Sequence, residues 1–494
     1  MGEDRINKIK HWFKDPYNLV IVGILVFAFC LRLYYFILTK NQPLWYDEAD
    51  YMNIARYWAK GHPHWTFSSI RPPLFPLVLA ILMKFGFTEF SIKVLIALTS
   101  LMGIFLTYKL GSFMFNKFTG LVGSFILTIF WSFNFYSYRI LVDVPLLALW
   151  VVTIYHFLKA RKTNTFKDNL LFFFFASISF LFKYTSAILI IVIGLYFITV
   201  ENFKILKDKK FLIGSIPGFL ILFCFLIFEW IKFGSPIAFL TKGLGTRSYE
   251  RPFLISLWNQ TKLIFTMHHS ILMWLSILGI IFMVYKTIVA WKLALKKESK
   301  YNKYYFNLLL FFVSILIFGA LNYGAYMEER YYFPFLPAIY FSIGELLNQF
   351  KKREYLTIVG IAVCILFSIA AYQNLTHGNT IIKYKLHSFE QLKYTGESIK
   401  SQLKEDESFM ATQELAELVY YSQRNGISIP KNETQVEDLI KNYNIKYYIL
   451  VLWYPPFPQW WIKYPIENNL TLVKYYTPFI DKDNRLPIVS IFKF

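Results

Sequence analysis

The stretch YNLVIVGILVFAFCLRLYYFIL (Tyr17–Leu38) decides the fold. It is apolar over the roughly 20 residues that a helix needs to cross a bilayer. It is too long for the apolar core of a signal peptide, and no small-residue cleavage pattern follows it, so it reads as a retained first span. Just beyond it comes LWYDEADYMNIARYWAKGHPHWTFSSIRPP (Leu44–Pro73). This second stretch opens on three acids, Asp47, Glu48 and Asp50, and closes on Arg71 before two prolines.

Working outward, runs of the same apolar character recur, and 56% of the chain is hydrophobic, so the protein is expected to be an α-helical polytopic membrane protein. The net charge of +21 does not mark a nucleic-acid partner. The basic residues gather in short loops between apolar runs, which is the pattern that orients membrane proteins. Cys30, Cys224 and Cys364 are far apart and lie inside apolar runs, with neither a disulfide framework nor metal-ligand spacing.

Spans are expected near 17–38, 91–115, 118–137, 140–158, 169–182, 184–200, 211–231, 270–291, 305–322, 333–349 and 355–373, about eleven transmembrane helices in all. With the N-terminal Arg5, Lys8, Lys10 and Lys14 in the cytoplasm, the alternate loops hold Lys117; Lys159, Arg161, Lys162 and Lys167; Lys204, Lys207, Lys209 and Lys210; Lys292, Lys296, Lys297, Lys300 and Lys303; and Lys351, Lys352 and Arg353. Every lysine-rich loop then falls on one side. Pro73–Phe87 is apolar but short, and a full span there would break the charge pattern. With prolines at its start it is expected to form a helix in the outer interface, or dipping into the membrane.

The transmembrane domain is expected over residues 1–373, and an extracytoplasmic α/β domain over 374–494. HSFEQLKYTGESIKSQLKEDESFMATQELAELVYYSQRNG (387–426) has helical periodicity, and Ser388 with Gln391 and Thr434 with Glu437 have capping-box spacing. KYYILVLW (446–453) and PIVSIFKF (487–494) read as strands. Four Asn-x-Thr sequons, at Asn259, Asn374, Asn432 and Asn469, fall on the outer side of this topology.

On that same side lie Asp47, Glu48, Asp50 and Arg71, then Asp143 in YRILVDVPLL, Lys183 with Tyr184 in FLFKYTSA, and Glu328, Glu329 and Arg330 in YMEERYYFP. Ionisable groups at the edge of apolar spans are costly and mark a cavity or a substrate path. Each also has a plainer reading. Asp47 suits a helix N-cap with Glu48 and Asp50 in an acidic first turn. Asp143 can cap its helix before Pro145. Lys183 can snorkel. Arg330 can pair with its neighbouring glutamates. His62 and His64 in GHPHW could join the acids around a metal or sit as loop histidines. Trp45, Tyr46, Tyr51, Trp58 and Trp65 suit an interfacial belt or a sugar-stacking surface. Taken together, carboxylates and separate cations at one membrane face suit transfer from a lipid phosphate. A carboxylate takes the proton of an attacking hydroxyl, and cations neutralise the phosphate that leaves.

The ordered set DEADY, RPPLFPLVLAILMKFG, YRILVDVPLL, FLFKYTSA and RYYFPFLPAIY resembles the membrane glycosyltransferases of the C-type fold, nearest to the protein O-mannosyltransferase and aminoarabinose transferase superfamily. The resemblance covers about residues 17–350. It implies a polyprenyl (dolichyl or undecaprenyl) phosphate sugar donor used on the outer face of the cell membrane, with inversion. It implies Asp47 as base with Glu48 beside it. Arg71 takes the place of a basic residue near the donor phosphate, and Asp143, Lys183 with Tyr184, and Arg330 match other substrate-binding positions. No cofactor is required on this reading, and a divalent metal is possible but unsupported. The acceptor is a protein, lipid or glycan hydroxyl. The later spans and the C-terminal domain carry no matching motif.

The main rival is a transporter or lipid flippase, which would show internal repeats and charged sites near mid-membrane. A second rival is a sensor with a ligand-binding outer domain. The catalytic reading requires Asp47, Arg71, Asp143 and Lys183 to converge around one outer-facing cavity that opens to lipid.

Overall fold

The computed structural model describes residues 12–201, 204–245, 252–294, 302–321, 328–350, 356–430, 432–453, 457–476 and 489–494. Of the expected loop cations, Arg5, Lys8, Lys10, Lys296, Lys297, Lys300, Lys351, Lys352 and Arg353 lie outside the described residues, as do Pro487 and Ile488 of the second expected strand.

In chain order the helices are α1 (Pro16–Thr39), α2 (Tyr46–Lys60), α3 (Leu74–Lys84), α4 (Glu89–Met114), α5 (Lys117–Ile129), α6 (Trp131–Tyr136), α7 (Asp143–Thr163), α8 (Phe166–Phe182), α9 (Ala187–Tyr196) and α10 (Lys209–Phe233). Then follow α11 (Ala238–Gly245), α12 (Phe253–Thr266), α13 (His269–Ala294), α14 (Asn302–Leu321), α15 (Leu336–Asn348) and α16 (Leu356–Tyr384). The remaining elements are α17 (Glu390–Gln402), β1 (Ser408–Ala411), α18 (Leu415–Ser422), β2 (Asn425–Ser428), α19 (Val436–Tyr443), β3 (Ile445–Val451), α20 (Trp460–Glu467), β4 (Thr471–Tyr476) and β5 (Val489–Lys493). The chain packs into two compact units. One holds the residues up to Leu38, Ser69–Leu74 and Val94–Ile382; the other holds Thr39–Ser68, Phe75–Lys93 and Lys383–Phe494.

In the first unit each expected span coincides with a helix. Seven are long and apolar enough to cross a membrane: α1, α4, α7, α10, and the stretches His269–Val289, Lys303–Ala320 and Gly360–Tyr384. The helices at the other four expected spans, α5, α8, Tyr184–Val200 and α15, are shorter. The expected span 118–137 breaks where Phe130 turns extended (φ −62°, ψ 117°), and the short α6 follows. Helix α5 is buried along most of its length, so packed protein rather than lipid surrounds it. Between α7 and α8, Asn164 takes a left-handed cap (φ 46°), and the Thr165 hydroxyl accepts the Asp168 N–H at 3.2 Å. That tight reversal makes an antiparallel hairpin in which the start of α7 faces the end of α8. Asn374, expected on the outer side as a sequon, is instead fully buried inside α16, where its amide donates to the Ala370 carbonyl at 3.0 Å.

The second unit is built on a five-stranded sheet in the order β2-β1-β3-β5-β4. Strand β1 runs parallel to β2 and β3, and β5 runs antiparallel to β3 and β4. Alternate side chains feed two cores. Phe409, Ile449, Val451 and Ile491 meet Leu392, Ile399, Leu418 and Val419 on one face. Met410, Ile445, Tyr448 and Leu450 meet Val436 and Tyr464 on the other. Both expected strands are present as β3 and β5, but the 387–426 stretch is not helical throughout. The buried β1 interrupts it, because SFMA alternates its side chains between the two cores. The capping boxes are not formed as expected either. Helix α17 starts behind Phe389 in a left-handed conformation (φ 70°), and Asn432 rather than Thr434 caps the turn before α19.

Helix α2 also belongs to this unit and is tied to α18. The Asn53 amide donates to the Ala416 carbonyl at 2.7 Å, the Arg56 guanidinium donates to the Tyr420 carbonyl at 2.7 Å, and the Leu44 N–H meets the Tyr421 hydroxyl at 2.8 Å. Trp65 packs on the first of the two sheet cores and gives its indole N–H to Asp50 at 2.8 Å, which places it inside the fold rather than in an interfacial belt. Helix α17 meets α18 closely at Gly396, where a Cβ would come within 2.5 Å of the Tyr421 Cβ.

Candidate active site

The α7–α8 hairpin assembles a charged cluster in the first unit. Asp143 is the first residue of α7 and only 2% exposed. It makes no capping hydrogen bond to its own helix. Its carboxylate instead pairs through Oδ1 with the Lys183 ammonium at the end of α8, and Oδ2 lies 3.7 Å from Nη1 of Arg330. Lys183 therefore does not snorkel away from the protein. Arg330 pairs with Glu328, as its sequence context allows, and also reaches Asp143. The Lys183 ammonium sits 4.5 Å from the centre of the Tyr331 ring, and the Arg330 guanidinium 5.4 Å from the same centre, so one aromatic face borders both cations.

The Lys183 side chain is 18% exposed, and an ammonium has three donors of which Asp143 takes one. An anion can therefore approach it. The Glu329 carboxyl is pushed above its ordinary range by burial, with Glu328 adding to the effect, which limits the negative charge beside the cations. Next to Lys183, the Tyr184 hydroxyl reaches the Arg71 carbonyl at 3.5 Å, and the Tyr184 ring packs on Phe180, Phe225 and Phe239. Asp143, Lys183 and Arg330 are thus brought together from three separate places in the sequence, and the backbone of Arg71 lies beside Tyr184.

Asp47 and Glu48 lie in the second unit. Asp47 is not the N-cap of α2. Trp45 holds that position with extended backbone (φ −91°, ψ 169°), and Tyr46 is already helical, so Asp47 points from inside the first turn. Glu48 is 1% exposed and accepts the Trp45 N–H at 2.9 Å, whereas Asp47 is partly exposed. His64 gives its backbone N–H to Asn425 at 2.9 Å. Among the described residues no three His, Cys, Asp or Glu side chains are grouped to hold a metal ion.

Sequence reasoning missed the acids that meet α2 from the C-terminal segment. Glu417 on α18 is 0% exposed and lies beside Glu414, within electrostatic reach of Asp47. Burial holds its carboxyl well above the ordinary range, and the nearby Glu414 and Asp47 add to that. The signal was available in QELAELVYY, where Glu417 stands among Leu415, Ala416, Leu418 and Val419.

The bundle of spans, the first-loop helices and the small α/β part together make up the C-type fold of membrane glycosyltransferases. The structure is similar to ArnT from Cupriavidus metallidurans in the apo state, with a TM-score of 0.68 and 13% identity over 96% of this chain and 97% of that one. The same protein bound to undecaprenyl phosphate gives a TM-score of 0.61, also at 13% identity over 96% and 97% of the two chains. The oligosaccharyltransferase AglB from Archaeoglobus fulgidus, in complex with an inhibitory peptide and a dolichol-phosphate, gives 0.59 at 13% identity, over 97% of this chain and 76% of that one. A family profile described as dolichyl-phosphate-mannose-protein mannosyltransferase matches residues 70–228, which include Arg71, Asp143, Lys183 and Tyr184. No curated protein sequence matches the chain.

Proposed function

We propose that this protein transfers a sugar from a polyprenyl-phosphate carrier to an acceptor hydroxyl, with inversion. The observation that carries the reading is the Asp143–Lys183–Arg330 cluster: two cations held by one buried carboxylate, in a chain with the fold of ArnT along nearly its whole length. Lys183 and Arg330 neutralise the phosphate as the bond to the sugar breaks, and Asp143 fixes where those two cations stand. Arg71, whose backbone carbonyl lies beside the Tyr184 hydroxyl, is the further cation we assign to the donor phosphate, on its place in the sequence before the two prolines. Asp47 takes the proton of the acceptor hydroxyl, and Glu48, held on the Trp45 N–H, fixes the turn that presents it.

The loop lysines and arginines support a cytoplasmic N-terminus and an extracytoplasmic C-terminal domain, with the charged cluster at the outer face. The position of Asp143, Lys183 and Arg330 at helix ends, together with the match of residues 70–228 to a mannosyltransferase family, favours transfer over transport. The experiment that tests the function is mass spectrometry of cell-surface glycans in a deletion strain carrying either the wild-type gene or Asp47→Asn. The reading predicts that one glycan disappears on deletion, returns with the wild type and does not return with the variant. An unchanged glycan profile on deletion would refute it.

A further inference from the structure

The first span encloses a cation that the mechanism above does not use. Arg32 lies on α1, a helix long and apolar enough to cross a membrane, and is 2% exposed. A charge enclosed there is costly, and an apolar side chain would fill the same space more cheaply. Its partners are neutral. Nε donates to the Ser100 hydroxyl on α4 at 3.1 Å, and Nη1 donates to the Thr128 carbonyl in the last turn of α5 at 3.3 Å. The guanidinium lies 5.5 Å from the centre of the Phe133 ring on α6. The Ser100 hydroxyl gives its own proton to the Ala97 carbonyl at 2.6 Å, which turns a lone pair to Arg32. Nη2 meets no acceptor among the described residues.

These partners sit where the chain changes direction. Helix α5 stops because Phe130 turns extended, and the last carbonyls of a helix have no partner within it. The negative end of the helix dipole lies there too, which favours a cation. The Asn134 amide of α6 donates to the same Thr128 carbonyl at 3.0 Å and to the Phe130 carbonyl at 3.1 Å. One carbonyl is thus gripped from α1 and from α6. Helix α6 in turn touches both halves of the charged cluster. The rings of Phe133 and Tyr136 meet the Phe333 ring at 5.4 and 5.8 Å, and Phe333 stands in the 3₁₀ turn Glu329–Phe335 that carries Arg330. The Arg330 guanidinium lies 5.8 Å from the centre of the Tyr136 ring. Residues 137–142 then lead from α6 into Asp143, kept compact by the Arg139 N–H on the Tyr136 carbonyl at 3.2 Å and the Leu141 N–H on the Arg139 carbonyl at 2.7 Å.

We propose that Arg32 is a positioning residue for the transfer reaction: from the first span it locks the end of α5 against α6, and α6 sets where Arg330 and Asp143 stand. The inference rests on that cluster serving the donor phosphate. It explains why a charge, with two directed donors and a face for an aromatic ring, occupies a place that packing alone would give to an apolar side chain.

The test compares wild type, Arg32→Met, Arg32→Lys and Asn134→Leu as purified full-length proteins. Native mass spectrometry with undecaprenyl phosphate and undecaprenol reads the preference of the folded protein for the phosphate. Arg32→Met is expected to lower that preference by about tenfold, the weight of one hydrogen bond to a charged group. Arg32→Lys keeps a cation and a donor in place and should recover part of it. A merely structural role would lower the thermal midpoint and leave the preference unchanged, which overturns the proposal. Should Arg32→Met not fold, Asn134→Leu removes the other grip on Thr128 and carries the same comparison, with an unchanged preference again overturning the proposal. Cryo-electron microscopy of the same variant reads the geometry with no lipid present: Arg330 and Asp143 are expected to separate beyond their 3.7 Å, and an unmoved pair overturns the proposal. A wild type with no preference for the phosphate would instead refute the donor reading of the cluster, while the microscopy still decides what Arg32 does.

Discussion

Lys183 and Asp143 are ion-paired although 40 residues separate them, because each lies at the same end of the α7–α8 hairpin. The pair is buried on the acid's side and partly open on the lysine's, with the side chains 3% and 18% exposed. A carboxylate placed there does two things. It keeps a costly cation at the edge of apolar spans, and it aims that cation at whatever anion arrives.

Replacing Lys183 or Arg330 by Met should remove the recognition of phosphate and spare the recognition of an isoprenoid chain. Native mass spectrometry of the purified protein with undecaprenyl phosphate and undecaprenol distinguishes the two. The wild type is expected to retain the phosphate in preference to the alcohol, and each variant to lose that preference. Loss of one such electrostatic contact should lower transfer by about 10²- to 10³-fold.

Asp143→Ala should act mainly on stability, since it leaves Lys183 and Arg330 side by side without their shared acid. Removing one partner of a buried pair costs roughly 3–5 kcal/mol. Thermal unfolding in detergent should show a lower midpoint for Asp143→Ala than for Lys183→Met, which removes a cation from the cluster and leaves the acid its second partner, Arg330.

The two acids of the first loop should separate. Asp47→Asn is expected to lower transfer on the order of 10²- to 10⁴-fold. Glu48→Gln keeps an oxygen to accept the Trp45 N–H, so its effect should be smaller and appear as a change in stability of α2. Comparing glycan levels with melting curves for the two variants checks this.

Glu417 should also make stability fall with pH. Its folded-state pKa is raised, so the stability it contributes is fully present below its ordinary range and is lost as pH rises through the folded value. The slope for one proton is at most about 1.4 kcal/mol per pH unit. Glu417→Gln should flatten the decline of the unfolding midpoint between mildly acidic and alkaline pH.

Much of the membrane part was legible because a span announces itself locally. A run of apolar residues carries its own length, and helices lie at all eleven expected runs, seven of them long and apolar enough to cross a membrane. Asp143, Lys183 and Arg330 were legible for a related reason: a charge beside an apolar run stands out. Their pairing was not, since it depends on the left-handed turn at Asn164 that folds α8 back on α7. The C-terminal part read poorly because its signals are weak and non-local. The four residues of β1 are too few for a period, and their partners β2 and β3 lie on different sides of intervening helices. Glu417 looked like a solvated charge in its local context, and its burial comes from the tertiary packing around α18.

Gly396 tests that docking from the other side. A Cβ there meets the Tyr421 Cβ at 2.5 Å and the Ser422 backbone nitrogen at 3.1 Å, so Gly396→Val should push α17 off α18. Overpacking of this kind costs about 1–3 kcal/mol. Limited proteolysis of the C-terminal segment should accelerate in the variant.

The most direct measurement of the central claim is the carrier itself. If the protein consumes a sugar-loaded polyprenyl phosphate, that lipid should accumulate when transfer is blocked. Lipid mass spectrometry of membranes from deletion, Asp47→Asn and complemented strains measures it whatever the sugar is. The account predicts one sugar-phosphate polyprenol that rises in the first two strains and returns to its ordinary level in the third. A carrier pool identical in all three would contradict it.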